Sequence, residues 1–254
     1  MKPRFGIILL LLMGGLLSIG PLHGKLHAAV ERPATSYLKG LTWFGQSAFR
    51  LERGNVVLYL DPWKLPKETH DADLVLITHP HFDHLDPTDV AKVIKKDTII
   101  VTVADCVAKL KEADLGVTIR EVKPGDTLSL KGVKILVVPA YNIDKKFHPK
   151  QSQWAGFILE IDGDRIYHAG DTDFIPEMRS FKVDVALVPV SGTYVMTAEE
   201  AARAVKVINP KVAVPMHYGA VVGTVSDAKK LQTLCSTQII EILPQEKEKQ
   251  EKGP

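Results

Sequence analysis

The chain breaks into short apolar blocks set off by turn residues. Residues 41–44, 48–52 and 56–60 are apolar-rich runs, the last two separated by Arg53-Gly54-Asn55, so three strands with tight turns are expected to open a sheet. Residues 73–77, D-L-V-L-I, are short, branched and bracketed by polar positions, the pattern of a buried strand. Asp86 then fits a helix N-cap and Pro87 the first helical position, ahead of apolar Val90, Val93 and Ile94. Further strands are expected at 98–103, 117–122, 127–130 and 133–138, with an amphipathic helix near 104–112. Residues 154–161 and 165–168 flank Asp162-Gly163, a hairpin turn signal. After a buried-type strand at 183–190, Thr197 and Glu200 form a T-x-x-E capping box for a helix running to about Ile208, stopped by Asn209-Pro210. A strand at 212–215 follows, and one helix and one strand are expected to close the fold before Leu243. Strands outnumber helices and are interleaved with them, so the fold class expected is α/β (α+β), with no internal repeat.

The stretch 78–86, T-H-P-H-F-D-H-L-D, sits at a strand-to-helix junction. In extended chain alternate residues share a face, which groups His79, His81 and Asp83 and leaves His84 to be turned elsewhere by the loop. Imidazoles and carboxylates suit zinc, manganese or iron, and two such ions about 3.5 to 4 Å apart can share a hydroxide. Two more strand ends carry compatible residues. Asp171 lies in Y-H-A-G-D-T-D, where Gly170 permits unusual backbone geometry and a carboxylate could bridge two metals. His217 lies in V-P-M-H-Y-G, placed to finish a second site. Asp61 ends the third strand and could either orient a histidine or cap the next turn.

At 254 residues, 45% hydrophobic and 24% charged, the chain can bury one large core. Residues 1–29 read as a secretory signal peptide: Lys2 and Arg4 precede an apolar stretch, and Ala28 and Ala29 follow. That stretch is short and interrupted for a membrane span, so cleavage is expected rather than anchoring. A linker at 30–39, a domain at 40–244 and a disordered charged tail at 245–254 complete the expected organisation. Removing Lys2, Arg4 and Lys25, with no acid among residues 1–29, takes the formal charge from +2 to −1, which lacks the basic footprint of a nucleic-acid binder. Cys106 and Cys235 fall in separate helical patterns and are expected as separate buried thiols.

Taken together, His79, His81, Asp83 and His84, then Asp171, then His217 resemble the metallo-β-lactamase superfamily, over residues 41 to about 243. Within it, W-F-G-Q-S, L-D-P, T-H-P-H-F-D-H-L-D, Y-H-A-G-D-T-D and P-M-H-Y-G are similar to the branch containing ascorbate-6-phosphate lactonase. The phospholipase D acting on N-acylated phosphatidylethanolamine looks like a more distant relative. The resemblance implies a four-layer αβ/βα sandwich with a metal site at one edge. It implies His79 and His81 on a first metal, Asp83, His84 and His217 on a second, Asp171 bridging, and Asp83 orienting the attacking hydroxide. The family carries a third histidine on the first metal directly after a small-aromatic pair, where this chain has Asn142 after Ala140 and Tyr141. His148, in F-H-P-K, is therefore taken as the ligand, with the Asn142 oxygen as the alternative for a hard metal. Gln46 stands where relatives often have histidine. His168 is kept out of the metal set; Trp154 and Tyr194 could line a pocket, though aromatic residues of this kind are usually core. The resulting expectation is an exported hydrolase holding two divalent ions, zinc first, manganese or iron otherwise. Its substrate would be a lactone or related ester. A phosphodiesterase and a non-catalytic metal-binding protein are the alternatives. The expected partner is a small-molecule ester, lactone or phosphodiester, with membrane contact only through an uncleaved N-terminal segment and homo-oligomers left open.

Overall fold

The computed structural model describes residues 32–247; the expected signal peptide and the tail from residue 248 lie outside them. The first six strands run in sequence order across one sheet: β1 (Leu41–Gly45), β2 (Ala48–Arg53), β3 (Val56–Leu60), β4 (Ala72–Ile77), β5 (Ile94–Val103) and β6 (Thr118–Val122). The second six do the same in the other sheet: β7 (Thr127–Leu130), β8 (Val133–Pro139), β9 (Ala155–Ile161), β10 (Asp164–His168), β11 (Val185–Pro189) and β12 (Val212–Met216). Each sheet begins with antiparallel hairpins and ends with parallel pairs, β3 to β6 in one and β10 to β12 in the other. This is the αβ/βα sandwich expected from the sequence.

The parallel strands explain why the apolar runs look continuous rather than alternating. Leu74 to Ile77 of β4 and all of β11 and β12 are buried, as required of strands covered on both faces. Helices supply the cover: α1 (Ala34–Tyr37), α2 (Pro87–Val93), α3 (Ala104–Glu112), α4 (Ala198–Ile208) and α5 (Val225–Leu234). Asp86 caps α2 by accepting from Thr88 N at 2.9 Å. Thr197 and Glu200 close the expected capping box on α4, which ends at Asn209 in left-handed conformation before Pro210. At the β9–β10 turn Asp162 and Gly163 have φ of 51° and 79°, the geometry that Asp-Gly favours in a two-residue hairpin.

Four details differ from the expectation. Ile94 leaves the helix and opens β5, because its extended backbone pairs with Ala72 beyond a register shift. The closing strand is reduced to an isolated bridge between Ile240 and Ala213, since only Ile239 and Glu241 reach the edge of β12 before Pro244. The segment read as a linker contains α1, whose Tyr37 is buried. Gln245 and Glu246, read as the start of a disordered tail, dock on β1: Gln245 Nε2 donates to Phe44 O at 2.8 Å and Glu246 N to Trp43 O at 2.8 Å. Cys106 and Cys235 are free and buried, as expected. No helix among the described residues is long and apolar enough to cross a membrane.

Candidate metal centre

The motif of residues 78–86 leaves the sheet at the C-terminal end of β4, where parallel strands expose backbone and side chains to a shared edge. Asp61, just beyond β3, organises it. Its Oδ1 accepts from Thr78 N at 2.8 Å and its Oδ2 from Thr78 Oγ1 at 2.7 Å. The same Oδ2 lies 2.7 Å from His84 Nδ1, so Asp61 orients a histidine rather than merely capping a turn. A tight turn follows, with His84 N and Leu85 N both donating to His81 O, and buried Leu85 anchors it. The turn breaks strand alternation. It sends Asp83 to the side of His84 instead of that of His79 and His81, as the family resemblance implies and simple parity does not.

The second sheet supplies the rest. Asp171 follows β10, His217 follows β12 with φ of 60°, and His148 comes from the loop between β8 and β9. Two groups of donor atoms result, each with its atoms within 4.8 Å of one another: His79, His81, His148 and Asp171; and Asp83, His84 and His217. All seven expected ligands are thus brought together. Asp171 lies between the groups: its Oδ2 is 3.2 Å from His148 Nε2 and 3.0 Å from His217 Nε2, and its Oδ1 is 3.2 Å from His84 Nε2.

Every imidazole of the two groups except His81 is held by its other nitrogen. Thr78 Oγ1 lies 2.9 Å from His79 Nδ1, and Ser191 Oγ 2.9 Å from His217 Nδ1. Burial, reinforced by the neighbouring His84, holds His79 well below the usual imidazole pKa, and burial likewise lowers His81. Burial opposes protonation of His84, but Asp171, Asp61 and Asp83 outweigh it and hold His84 well above the usual value. Burial works against ionisation of Asp171, yet His217 and His84 prevail and keep it well below the ordinary carboxylate range. The residues fit divalent ions. Buried His84 Nε2 and Asp171 Oδ1 face each other at 3.2 Å without hydrogen-bond geometry, and neither atom makes a hydrogen bond elsewhere. Unpaired buried donor atoms of this kind are costly unless something cationic sits among them.

The absence of a histidine at position 142 has a structural answer. Asn142 Oδ1 accepts from His148 N at 3.0 Å and lies 3.0 Å from His148 Nδ1. Its Nδ2 donates to Asp173 Oδ1 at 3.1 Å and Tyr194 O at 2.9 Å, and Asp173 is in turn paired with Lys145. Asn142 therefore holds His148 and does not take its place. Gln46, fully buried, donates from Nε2 to Asp83 Oδ2 at 2.9 Å. His168 stands behind the centre with Nε2 2.9 Å from Ser47 O and is no part of either group. Trp154 and Tyr194, open between pocket and core from the sequence, belong to the site: the Trp154 ring lies 5.0 Å from both His79 and His81, and Tyr194 lines the pocket above. Trp154 directly precedes β9 and Tyr194 follows β11, both too far along the chain from the motif for spacing to carry a signal.

Comparison with known proteins agrees with this geometry. Residues 40–217 match the Beta-lactamase superfamily domain. A UPF0173 metal-dependent hydrolase of Pyrococcus abyssi is 35% identical over 190 residues, covering 69% of this chain and 83% of the relative. Another from Aeropyrum pernix is 35% identical over 206 residues, covering 70% and 82%. The chain belongs to the UPF0173 family of metal-dependent hydrolases. Among solved structures, this hydrolase is similar to a metallo hydrolase from the hyperthermophilic archaeon Ignicoccus hospitalis, with 30% identity and a TM-score of 0.64 over 80% of this chain and 94% of that one. A protein from Parabacteroides distasonis gives 35% identity and a TM-score of 0.69, over 80% and 91%. The hydrolase thus carries two His/Asp groups suited to a dinuclear centre on its family's fold.

Proposed function

We propose that this hydrolase cleaves a lactone or related carboxylic ester and does so outside the cytoplasm. One observation carries the choice of ester over phosphodiester: the pocket above both donor groups has no lysine or arginine among its lining residues. A phosphodiester brings a permanent negative charge that sites usually meet with arginine or lysine; a carboxylic ester is neutral. The similarity to the ascorbate-6-phosphate lactonase branch extends in this reading to the lactone bond, not to a phosphate. Export rests on the pattern of residues 1–29, and fractionation of cells expressing the full chain, with N-terminal sequencing of the product, tests it.

Divalent ions bound to the two groups would supply Lewis acidity, polarising the ester carbonyl and making water acidic near neutral pH. The protein's own part is positioning and proton transfer. Asp83 is buried, lines the pocket and is fixed by Gln46, so its carboxylate accepts a proton from the water that adds to the carbonyl carbon. When the carbon–oxygen bond to the leaving group breaks, Asp83 returns that proton to the departing alkoxide, giving a hydroxy acid from a lactone or a separate acid and alcohol from an open-chain ester. Asp83→Ala is expected to lower kcat by about a hundredfold or more while circular dichroism stays native; unchanged turnover would sink the assignment. Parallel lactone and phosphodiester panels decide the substrate bond, and hydrolysis confined to phosphodiesters would reverse the choice.

A further inference from the structure

The pocket above the metal centre, about 270 Å³ in volume, is built of two chemically different parts. Its floor is the donor set; its walls are Phe82, Phe147, Tyr194 and Val221. Three of these are unusually exposed for large apolar residues: Phe82 at 61%, Phe147 at 47% and Val221 at 36%. A single exposed apolar residue needs no explanation, whereas several from separate loops converging on one concavity do.

The walls are braced, not loose. Phe82 stands edge-on to Trp63 with ring centroids 5.8 Å apart, and Phe147 edge-on to Tyr194 at 4.6 Å. Their placement along the chain ties them to the chemistry: Phe82 lies between His81 and Asp83, Phe147 directly precedes His148, and Val221 follows His217 on the same loop. Two lysines precede Phe147 on this loop: Lys145 is engaged by Asp173 and lies 3.8 Å from Glu200, and Lys146 is exposed and outside the pocket lining.

From this arrangement we infer that the substrate carries an apolar acyl or alkyl arm, which lies against Phe82, Phe147, Tyr194 and Val221 while its ester group meets the donor set. The inference rests on the ester reading above and narrows it to esters or lactones with a short or medium hydrocarbon arm. Burying each methylene contributes about 0.8 kcal/mol, or roughly fourfold in binding, until the arm outgrows a pocket just below the usual range of about 300–1,000 Å³.

The test uses the metal-loaded full chain and straight-chain alkyl hydroxamates from two to ten carbons, whose head group ligates metal without being hydrolysed. Calorimetric Kd values are expected to fall about two- to fourfold per methylene over the first several carbons and then level off. Phe82→Ser and Phe147→Ser, each checked for unchanged metal content, are expected to cut the ratio of acetohydroxamate to octanohydroxamate Kd at least fivefold. Kd values independent of chain length, or an unaltered ratio in both variants, would overturn the inference. So would loss of binding to phosphatidylcholine vesicles in these variants with the hydroxamate ratio intact, which would make the apolar rim a membrane contact. A matching series of aryl esters separates this idea from the one it rests on. A chain-length trend in hydroxamate binding without turnover of any ester removes the ester reading and leaves the arm, while ester turnover with flat hydroxamate binding does the reverse.

Discussion

Asn142 illustrates how much one residue can carry without touching a metal. It accepts from His148 on one side and donates to Asp173 on the other, so the imidazole is held through three residues and ends at Lys145. Asn142→Ala leaves His148 unheld, and metal content by elemental analysis is expected to fall from about two ions per chain towards one, the ion of the His148 group being bound at least tenfold more weakly in chelator competition, the scale on which partners of ligands act. Two ions retained at wild-type affinity would refute the role. The motif residues, Asp171 and His217 were legible because each stands at the end of a recognisable strand. Asn142 was legible only as a departure: that the chain between 142 and 148 folds back to bring His148 N and Nδ1 onto the Asn142 oxygen is a property of loop shape, which carries no periodicity. Gln46 was likewise visible as an anomaly and intelligible only once its amide is seen on Asp83.

At the scale of elements, the packing of β9 and β10 against the motif turn is set by glycine. Gly170 has φ of +61°, and a Cβ there would meet Ala155 O at 2.8 Å and Thr78 Cβ at 3.1 Å. Gly170→Ala is expected to cost about 1–3 kcal/mol, seen as a Tm lower by several degrees, and to displace Thr78 from Asp61. An unchanged Tm would show the backbone can relax there. On α3, burial raises the Cys106 thiol to about 12, so thiolate is scarce at any pH below that value. Cys106 is expected to resist thiol reagents at pH 8 in the folded protein and to react on unfolding; alkylation followed by peptide mass spectrometry checks it. Elements with strong local signals were readable almost to the residue: the helix expected near 104–112, the strand at 127–130 and the capping box at Thr197 all stand where the sequence placed them. The closing strand was not, because 239–241 has strand-like residues but only one edge residue, Ala213, to pair with.

For the molecule as a whole, the buried donor set makes stability depend on ions. An ion that binds only the folded chain adds about 2.7 kcal/mol at a concentration a hundred times its Kd. Stripping the protein with chelator is therefore expected to lower Tm by roughly 5–10 °C, restored by re-adding zinc or manganese, as differential scanning calorimetry reads it. An unchanged Tm would mean that the groups are stable empty. The division of the donors between the sheets has a further consequence. His79, His81, Asp83 and His84 leave the first sheet, while His148, Asp171 and His217 leave the second, and neither set alone makes a closed site. A nascent chain that has finished only its N-terminal half has no coordination cage to fill. Metal acquisition is thereby confined to the end of biogenesis, after both halves have met, and each ion then acts as a rivet across the seam, so that the halves part less readily with metal than without it.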